Sequence, residues 1–252
     1  MNAAAPAIEV DSIVTRFGDQ TVHNGVSFSV PRGQVVGLIG GSGSGKSVLL
    51  REIIGLLQPT SGRVKVLGTD VWSATDDEMA ALRQRFGMLF QDGALFSSLT
   101  VEQNVATPLI EHAPVPLHLL GPLVRLRIAL AGLPAEAAAK MPSELSGGMR
   151  KRAAIARALA LEPEVLFLDE PTSGLDPITA RGFDRLVRFL CDDLGLTVLL
   201  VTHDLDTLLG IVDRAIVLAG GKVIADGPVK EVCRVDDPWL QSYFHVRRML
   251  EG

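Results

Sequence analysis

The sequence has few cysteines, no excess of positive charge and no long apolar run, and each absence excludes a class of protein. Its two cysteines, Cys191 and Cys233, are too few for a disulfide-bonded scaffold, which indicates a reducing compartment. The 24 lysines and arginines against 29 aspartates and glutamates give a net charge of −5, which argues against a general nucleic-acid binder. No stretch reaches the about 18 uninterrupted apolar residues of a membrane-spanning helix, so no membrane span is expected.

Two segments come closest to a targeting or membrane segment, and neither has the required pattern. The sequence at the start, MNAAAPAIEVDS, lacks a basic region followed by an apolar one, so we expect no secretory signal. Residues 117–133 are rich in leucine but contain His118, Arg125, Arg127 and Pro122, and charge at the bilayer centre is costly. We predict that this segment is a helix packed against protein.

The order of the predicted elements indicates an α/β fold in a chain whose 252 residues, 47% of them hydrophobic, can bury a substantial core. Short unbroken apolar runs are typical of strands buried in a parallel sheet, and two such runs flank a segment with helical spacing. The segment from about residue 92 to 161 has no such run and is predicted to be a helical insertion. The predicted strands are 8–16, 21–30, 35–39, 165–168, 197–201, 215–218 and 222–225, and the predicted helices are 47–57 and 178–194.

Residues 40–47, GGSGSGKS, fit the phosphate-loop pattern G-x-x-x-x-G-K-[ST] in full. Glycines let the backbone form a concave nest of N–H groups, and the helix that follows adds its unpaired N–H groups and the positive end of its dipole. The lysine brings a mobile positive charge to the β- and γ-phosphates, and the final serine hydroxyl can ligate Mg²⁺. The loop residues expected to bind nucleotide are Gly40, Ser42, Gly43, Ser44, Gly45, Lys46 and Ser47.

A pair of acidic residues follows the predicted strand 165–168. Asp169 and Glu170 lie at the carboxyl edge of a buried strand, where ligands bind in open α/β sheets. Asp169 can hold the Mg²⁺ shell, and Glu170 can orient or deprotonate the attacking water. Acidic pairs are common in turns, so this interpretation depends on the complete phosphate loop elsewhere in the chain.

His203 follows the predicted strand 197–201 and is a further candidate, because an imidazole there could hydrogen-bond the γ-phosphate and report its loss. The remaining histidines have no such context and are interpreted as structural; they are His23, His112, His118 and His245. The sequence lacks the guanine-reading pattern N-K-x-D, which disfavours a GTPase.

Residues 145–149, LSGGM, resemble the signature motif of ATP-binding cassette (ABC) ATPases, and they come after the helical insertion and before Asp169 as in that family. Ser146, Gly147 and Gly148 would open a helix whose N–H groups form a second anion site. In the family this site caps the γ-phosphate bound to the other subunit. The resemblance therefore implies an isologous homodimer that holds ATP between two copies.

Further family elements match in chain order, over about residues 8–227. Phe17 falls where an aromatic residue stacks on adenine, and Gln91 matches the glutamine that touches the metal and water shell and hinges the helical insertion. Residues 173–176, SGLD, match the loop that crosses the dimer interface, and His203 matches the switch histidine. The resemblance implies ATP and Mg²⁺ as cofactors, with Glu170, His203 and Gln91 as catalytic residues and Ser47, Gln91 and Asp169 at the metal.

The same resemblance implies the architecture of the chain. It is a phosphate-loop (RecA-like) α/β fold with a mostly parallel sheet core, an N-terminal antiparallel β subdomain and an inserted α-helical subdomain. We expect the ATP-binding domain at residues 8–230, with the helical subdomain at about 92–161, and a short C-terminal extension at 231–252.

The sequence departs from the family pattern at two positions. Phe17 replaces the commoner tyrosine, which changes little if the ring stacks, since stacking needs only its face; the alternative is a core phenylalanine. Met149 replaces the usual signature glutamine, which removes a polar contact expected near the nucleotide of the partner. Three basic residues follow, and a solvated basic face is their simplest interpretation; they are Arg150, Lys151 and Arg152.

Several segments are similar to the lipid-trafficking branch of the family, the Mla (maintenance of lipid asymmetry) systems. They are residues 91–96 (QDGALF), 100–105 (TVEQNV), 144–149 (ELSGGM), 176–179 (DPIT) and 239–245 (WLQSYFH). The similarity implies an ATPase at the cytoplasmic face of the inner membrane that powers phospholipid transport between the inner and outer membranes.

That branch also implies partners. They are a separate integral-membrane permease (MlaE-like), an MCE-domain protein (MlaD-like) and, at the C-terminal tail, either a small regulatory subunit (MlaB-like) or the other ATPase, with no nucleic acid. Residues 94–96 would help to form the groove that receives a permease helix.

Three alternatives stay open. The cassette could power import of an amino acid or another small solute, which a periplasmic solute-binding partner would favour. It could gate cell-wall hydrolases during division without transporting a substrate. A soluble ABC protein acting on ribosomes or DNA is the least favoured, because such proteins usually contain two cassettes or long coiled-coil inserts.

Overall fold

The computed structural model describes residues 5–248, which belong to two compact units. The first unit combines the N-terminal part of the chain, to residue 75, with the C-terminal part from residue 199. The second unit is the intervening segment, residues 76–198. Within the described part of the chain, no helix combines the length and the apolar character that a membrane crossing requires.

Strands and helices are interspersed along the chain, as in an α/β fold. The strands of the described residues are β1 (Ile8–Phe17), β2 (Gln20–Val30), β3 (Val35–Ile39), β4 (Ser61–Val66), β5 (Thr69–Asp70), β6 (Phe86–Leu89), β7 (Val165–Asp169), β8 (Thr197–Val201), β9 (Arg214–Ala219) and β10 (Lys222–Pro228). The α-helices are α1 (Lys46–Ile53), α2 (Asp76–Gln84), α3 (Val101–His112), α4 (Leu117–Leu130), α5 (Gly147–Ala158), α6 (Pro177–Asp192), α7 (Leu205–Ile211), α8 (Val229–Val232) and α9 (Pro238–Arg248), with short 3-10 helices at Ala135–Ala139 and Pro142–Glu144.

An antiparallel sheet with the strand order β2-β1-β4-β5 forms the N-terminal part of the first unit. β1 and β2 are the two strands that the sequence predicts around the turn at Gly18 and Asp19, and they pair antiparallel. β4 pairs with the other edge of β1 but was not predicted. The reason is its composition, because only Val64 and Val66 are buried in a strand that otherwise carries polar residues and a glycine.

The rest of the first unit contains the strand that leads to the phosphate loop. β3 is buried along its whole length, as its unbroken apolar run predicts. It runs parallel to β9, with Ile39 opposite Val217, and β9 forms the predicted hairpin with β10. α1 ends at Ile53 rather than at the predicted residue 57, because Gly55 turns the chain with a φ of 75°.

The second unit has parallel strands and the predicted helical segment. β6 runs parallel to β7, and Phe86 packs edge-on against Phe167 with 5.3 Å between the ring centroids. β6 was not predicted, because it is four residues long and contains a glycine. Helices α3, α4 and α5 lie between β6 and β7 in the chain.

The mixed α/β fold class is confirmed. The predicted domain bounds, 8–230, 92–161 and 231–252, stay predictions, and residues 249–252 lie outside the described chain.

The described part of the predicted C-terminal extension packs in the core of the first unit. Leu240 and Phe244 of α9 belong to an apolar cluster that also contains Ile39 of β3 and Leu208 of α7. Trp239 stacks on Tyr243 with 4.9 Å between the ring centroids. The extension therefore lies against the strand from which the phosphate loop emerges; the predicted role of His245 and of the residues after it falls outside the described side chains.

One buried side chain, Asn104 of α3, holds the loop that follows Gln91 in the sequence. Its amide nitrogen donates to the carbonyl oxygens of Phe96, Leu99 and Thr100 at 3.1, 3.0 and 2.9 Å, and its Oδ1 accepts from the N–H of Phe96 at 2.8 Å. Asn104 is fully buried, so its own polar atoms depend on these backbone partners.

Asn104→Ala should lower the free energy of unfolding by about 2–3 kcal/mol, because it removes the hydrogen bonds by which a fully buried side chain holds the backbone of this loop. Urea denaturation measures the change. Thr107→Ala on the same helix is the matched control and should change stability by less than about 0.5 kcal/mol. If Asn104→Ala and Thr107→Ala lowered the free energy of unfolding equally, the role of Asn104 in holding this loop would be contradicted.

Candidate nucleotide-binding site

The phosphate loop, residues 40–47, turns from the end of β3 into α1. The Nζ of Lys46 donates to the carbonyl oxygens of Gly40 and Gly41 at 2.8 and 2.9 Å, so the ammonium lies over the loop itself. The N–H of Ser44 donates to the carbonyl of Gly41 at 3.2 Å and tightens the turn. Ser42 and Gly43 are exposed at its tip, as is Ser47 in the first turn of α1.

At two positions of this loop only glycine fits, because a Cβ atom would collide with neighbouring residues. Gly45 precedes the first residue of α1 with a φ of 96°, and no side chain caps the helix there. A Cβ at Gly45 would lie 2.5 Å from Nε2 of His23, and a Cβ at Gly40 would collide with the carbonyl oxygen of Leu218. Any side chain at either position would push the loop away from the residues that support it.

Phe17 and His203, the other predicted site residues of the first unit, lie at the surface. Phe17 ends β1 and is 48% exposed, which excludes the alternative that it is a core residue. His203 comes after β8 and is exposed, and its carbonyl oxygen accepts a hydrogen bond from the hydroxyl of Tyr243 at 3.0 Å. The segment with the predicted switch histidine is thereby tied to α9.

Gln91, Asp169 and Glu170 belong to the second unit. Leu89 of β6 lies opposite Leu168 of β7, so these parallel strands end at the same edge. Asp169 is the last residue of β7, and Gln91 follows the end of β6 by two residues. Glu170 has a φ of 48°, a backbone conformation that few residues other than glycine adopt. Such conformations persist where the surrounding structure imposes them, and they are concentrated at active sites.

Ser146 is the N-cap of α5, and its hydroxyl oxygen accepts from the N–H of Met149 at 3.3 Å. Gly147 and Gly148 form the first turn, and Ser146 is exposed. A cleft of about 410 Å³ in the second unit contains residues from three of the predicted motifs. It is lined by Gln91, Asp92, Gly147, Arg150, Lys151, Ser173, Gly174 and Leu175.

Lys151 contradicts the interpretation of residues 150–152 as a solvated basic face. It is only 6% exposed, and its Nζ donates to the carbonyl oxygen of Glu170 at 3.0 Å. Burial lowers the pKa of Lys151, and the nearby carboxylates of Asp92 and Glu170 partly offset that effect. Consecutive helical residues point in directions about 100° apart, so three of them cannot share one solvated face.

The other two basic residues, Arg152 and Arg150, differ in their exposure to solvent. Arg152 donates to the carbonyl oxygens of Ala131 and Gly182 at 2.9 and 2.8 Å, and burial lowers its pKa. Arg150 is exposed, so it alone of the three fits the predicted solvated face.

The predicted interface loop, residues 173–176, ends in a helix cap. Asp176 accepts hydrogen bonds from the N–H groups of Ile178 and Thr179, both at 3.1 Å, and so begins α6. The hydrogen bonds from Thr179 are the main reason that the pKa of Asp176 is lowered. The exit of the loop is therefore fixed by its own last residue.

His23 was interpreted as a structural residue outside the site, and the structure places it under the phosphate loop. It is fully buried on β2, and its Nε2 lies 3.2 Å from the carbonyl oxygen of Gly45. In a regular strand every second side chain points inward, and counting back from the buried Val30 would have placed Asn24 inward instead of His23. Gly25, with a φ of 81°, is an extra residue in the pairing with β1 and shifts the alternation by one.

The chain matches a family model described as "ABC transporter" over residues 23–173. A second model, described as an AAA domain and putative AbiEii toxin of a type IV toxin–antitoxin system, matches residues 139–210. The first match covers more than half of the chain, from β2 to the segment after β7.

Two curated relatives show the range of transporters in which similar subunits occur. The intermembrane phospholipid transport system ATP-binding protein MlaF of Haemophilus influenzae is 40% identical over 230 residues, which are 91% of this chain and 87% of that protein. The methionine import ATP-binding protein MetN of Brucella abortus is 41% identical over 244 residues, which are 96% of this chain and 66% of that protein.

The fold is similar to that of a solved bacterial ABC transporter cassette, MJ0796. Its dimeric structure has a TM-score of 0.80 at 31% identity and is matched over 88% of this chain and 98% of that chain. Its post-hydrolysis state, bound to ADP and Pi, has the same TM-score at 30% identity and the same coverage. The chain belongs to the ABC transporter family and is an ATP-binding, ATP-hydrolysing subunit of such a transporter.

Proposed function

We propose that this ATPase powers the transport of phospholipid, or a related lipid, between the inner and outer membranes of the cell. The observation that carries the proposal is the similarity to MlaF, which extends over 91% of this chain and 87% of that relative. The segments similar to the Mla branch support it, because they include the exposed loop after Gln91 as well as the ATPase motifs.

In this proposal the first unit binds the nucleotide. The N–H groups of residues 40–47 and the ammonium of Lys46 hold the phosphates, while the exposed ring of Phe17 stacks on the adenine. His203 contacts the γ-phosphate. Glu170 of the second unit activates the water that attacks it, and Gln91 orients that water.

The residues proposed to hold Mg²⁺ fit that ion chemically. Ser47, Gln91 and Asp169 offer a hydroxyl, an amide carbonyl and a carboxylate, which are the hard oxygen donors that Mg²⁺ prefers. Among residues 5–244, whose side chains the structure describes, no group of three or more His, Cys, Asp and Glu could hold a metal alone. Mg²⁺ is usually bound through one or two carboxylates and takes its other ligands from phosphates and water. When bound, the ion would neutralise charge on the phosphates.

Two copies of the chain complete the site in this proposal. The start of α5 has an exposed cap, Ser146, followed by the half-buried Gly147 and the buried Gly148, and a helix N-terminus of this kind favours an anion. We assign this helix N-terminus to the γ-phosphate bound by the other copy, and the similarity to MJ0796, whose structure is dimeric, supports the pairing of two copies. ATP then favours the closed dimer, and hydrolysis removes the bridging charge and lets it open.

The loop at residues 93–96 has the properties of a surface that transmits this motion to a permease. Arg157 donates to the carbonyl oxygens of Gly93 and Ala94 at 3.1 and 2.7 Å, and its guanidinium lies 5.8 Å from the ring centre of Phe96. Phe96 is nevertheless 52% exposed. A rigidly held aromatic ring at the surface suits contact with a helix of an MlaE-like permease, which would keep the ATPase at the cytoplasmic face of the inner membrane.

The C-terminal extension offers a second surface. A cleft of about 860 Å³ lies along it, lined by Cys233, Arg234, Val235, Pro238, Gln241, Ser242 and Phe244. We assign this cleft to a small regulatory subunit of the MlaB type, and we assign an MlaD-like MCE-domain protein to the periplasmic side of the complex.

Import of a small solute is the second candidate function. The 41% identity with MetN, which covers 96% of this chain, favours it. The two functions require the same ATPase chemistry and differ in the proteins bound to the permease.

Isolation of the affinity-tagged full chain from native membranes distinguishes them. The lipid proposal predicts co-purification of a permease with an MCE-domain protein and with bound phospholipid. A permease recovered with a periplasmic solute-binding protein and no MCE-domain protein would overturn it. Phe96→Ala should release the permease while ATP affinity stays unchanged, whereas Leu194→Ala, another exposed apolar residue, should release nothing.

Lys151→Met should lower kcat for ATP hydrolysis about tenfold and leave KM for ATP nearly unchanged, because it removes the donor that fixes the Glu170 carbonyl and leaves the phosphate loop intact. Lys151→Arg keeps a donor and should recover most of the rate. Val124→Ala, a buried change in α4, controls for general destabilisation, and Glu170→Gln gives the rate without the base. Equal rates in Lys151→Met and Val124→Ala would contradict the positioning role.

A further inference from the structure

Three buried polar side chains form a chain of contacts directly beneath the phosphate loop. Nε2 of His23 lies 3.2 Å from the carbonyl oxygen of Gly45, and Nδ1 lies 3.0 Å from Oγ1 of Thr15. The hydroxyl of Thr15 is 2.5 Å from Oε1 of Glu52, which lies on α1. His23 and Glu52 are fully buried and Thr15 almost so, although each is a polar residue in the core of the first unit.

The chemistry of these atoms fixes which of them donates to the loop. The carbonyl oxygen of Gly45 can only accept, so Nε2 of His23 must carry a proton and donate it. The Thr15 hydroxyl donates to Oε1 of Glu52, and Nδ1 of His23 contacts the oxygen of the same hydroxyl. Oε2 of Glu52 lies 3.1 Å from Nδ1 but outside hydrogen-bond geometry, so the bonded chain passes through Thr15.

The Gly45 carbonyl matters because of the peptide group to which it belongs. Its oxygen accepts two hydrogen bonds, one from His23 and one from the N–H of Leu49 at 2.8 Å. The N–H of the same peptide is that of Lys46, the first residue of α1. A donor on the oxygen of a peptide polarises its N–H and strengthens the hydrogen bond that this N–H makes. It also fixes the plane of the peptide, and so the direction in which the N–H points.

We propose that His23 is a positioning residue of the nucleotide site. Through Nε2 it orients and polarises the Gly45–Lys46 peptide, so that the Lys46 N–H points at the phosphates before the nucleotide arrives. Thr15 and Glu52 hold the imidazole in this orientation, and Glu52 links it to α1. The inference rests on the proposed role of residues 40–47 in phosphate binding.

The test compares ATP binding to the full chain in variants that remove or retain the donor. His23→Leu removes it and should raise the Kd for ATP about tenfold, the size of effect expected for one lost hydrogen bond of a charged ligand site. His23→Gln keeps an N–H group at the same number of bonds from Cβ and should bind within about threefold of the parent. Glu52→Gln keeps the chain of hydrogen bonds without its charge and should also bind nearly as the parent does.

Two further variants separate this role from lost stability and from the proposed function. Val26→Ala is a buried change on the same strand that should lower Tm without altering the Kd. Lys46→Ala should lose ATP binding. If it does not, the proposed function of the loop fails. If it does, but His23→Leu binds ATP as tightly as Val26→Ala, only the positioning role fails.

The backbone amide resonance of Lys46 gives a signature that a merely structural histidine would not produce. With ADP bound, its proton resonance should move upfield in His23→Leu and return towards the parent position in His23→Gln, because only the second variant keeps a donor on the peptide oxygen. An unchanged resonance in His23→Leu would overturn the proposal, as would a weakened Kd in His23→Gln equal to that of His23→Leu.

Discussion

The proposed nucleotide site requires that a row of backbone N–H groups face a triphosphate with no side chain between them, and the first unit has a loop of this form. The helix α1 begins without a side-chain cap, so its first N–H groups remain directed at the loop. Gly40 and Gly45 leave no room for a Cβ because Leu218 and His23 lie directly behind them. The backbone of the loop therefore packs against Leu218 and His23 on one side and faces the proposed nucleotide site on the other.

The second unit contains the counterpart of this arrangement. α5 also begins at glycines, and its only cap is the hydroxyl of the exposed Ser146. Two side chains near it hydrogen-bond to the backbone of the predicted motifs. Lys151 binds the Glu170 carbonyl, and Asp176 caps α6 at the end of the predicted interface loop. Each unit thus has a helix that begins at glycines, and in the proposed dimer both helix starts would contact one phosphate.

Sequence patterns predicted most of the elements that carry the ATPase motifs, because these have strong local signals. β3, β7 and β8 are unbroken apolar runs, and the phosphate loop has a fixed spacing of glycines and lysine. Sequence patterns failed to predict the elements and buried residues whose positions depend on tertiary structure. β6 is too short to show a period, and Lys151 is a buried lysine whose partner, the carbonyl oxygen of Glu170, is distant in sequence. His23 was missed because Gly25 inserts one residue into β2 and reverses the inward face of the strand.

The most direct test of the account asks whether one nucleotide site needs two chains. Lys46→Ala and Ser146→Arg are placed in separate full-length chains, both carrying Glu170→Gln, and mass is measured by light scattering with ATP and magnesium. In a mixed dimer one nucleotide site contains both substitutions, Lys46→Ala from one chain and Ser146→Arg from the other. The second site contains neither, because it pairs the intact Lys46 of one chain with the intact Ser146 of the other. The account predicts that each variant alone stays monomeric and that the mixture forms dimers retaining about one ATP each. A mixture that stays monomeric while the Glu170→Gln parent dimerises, or a Ser146→Arg chain that dimerises alone, would contradict it.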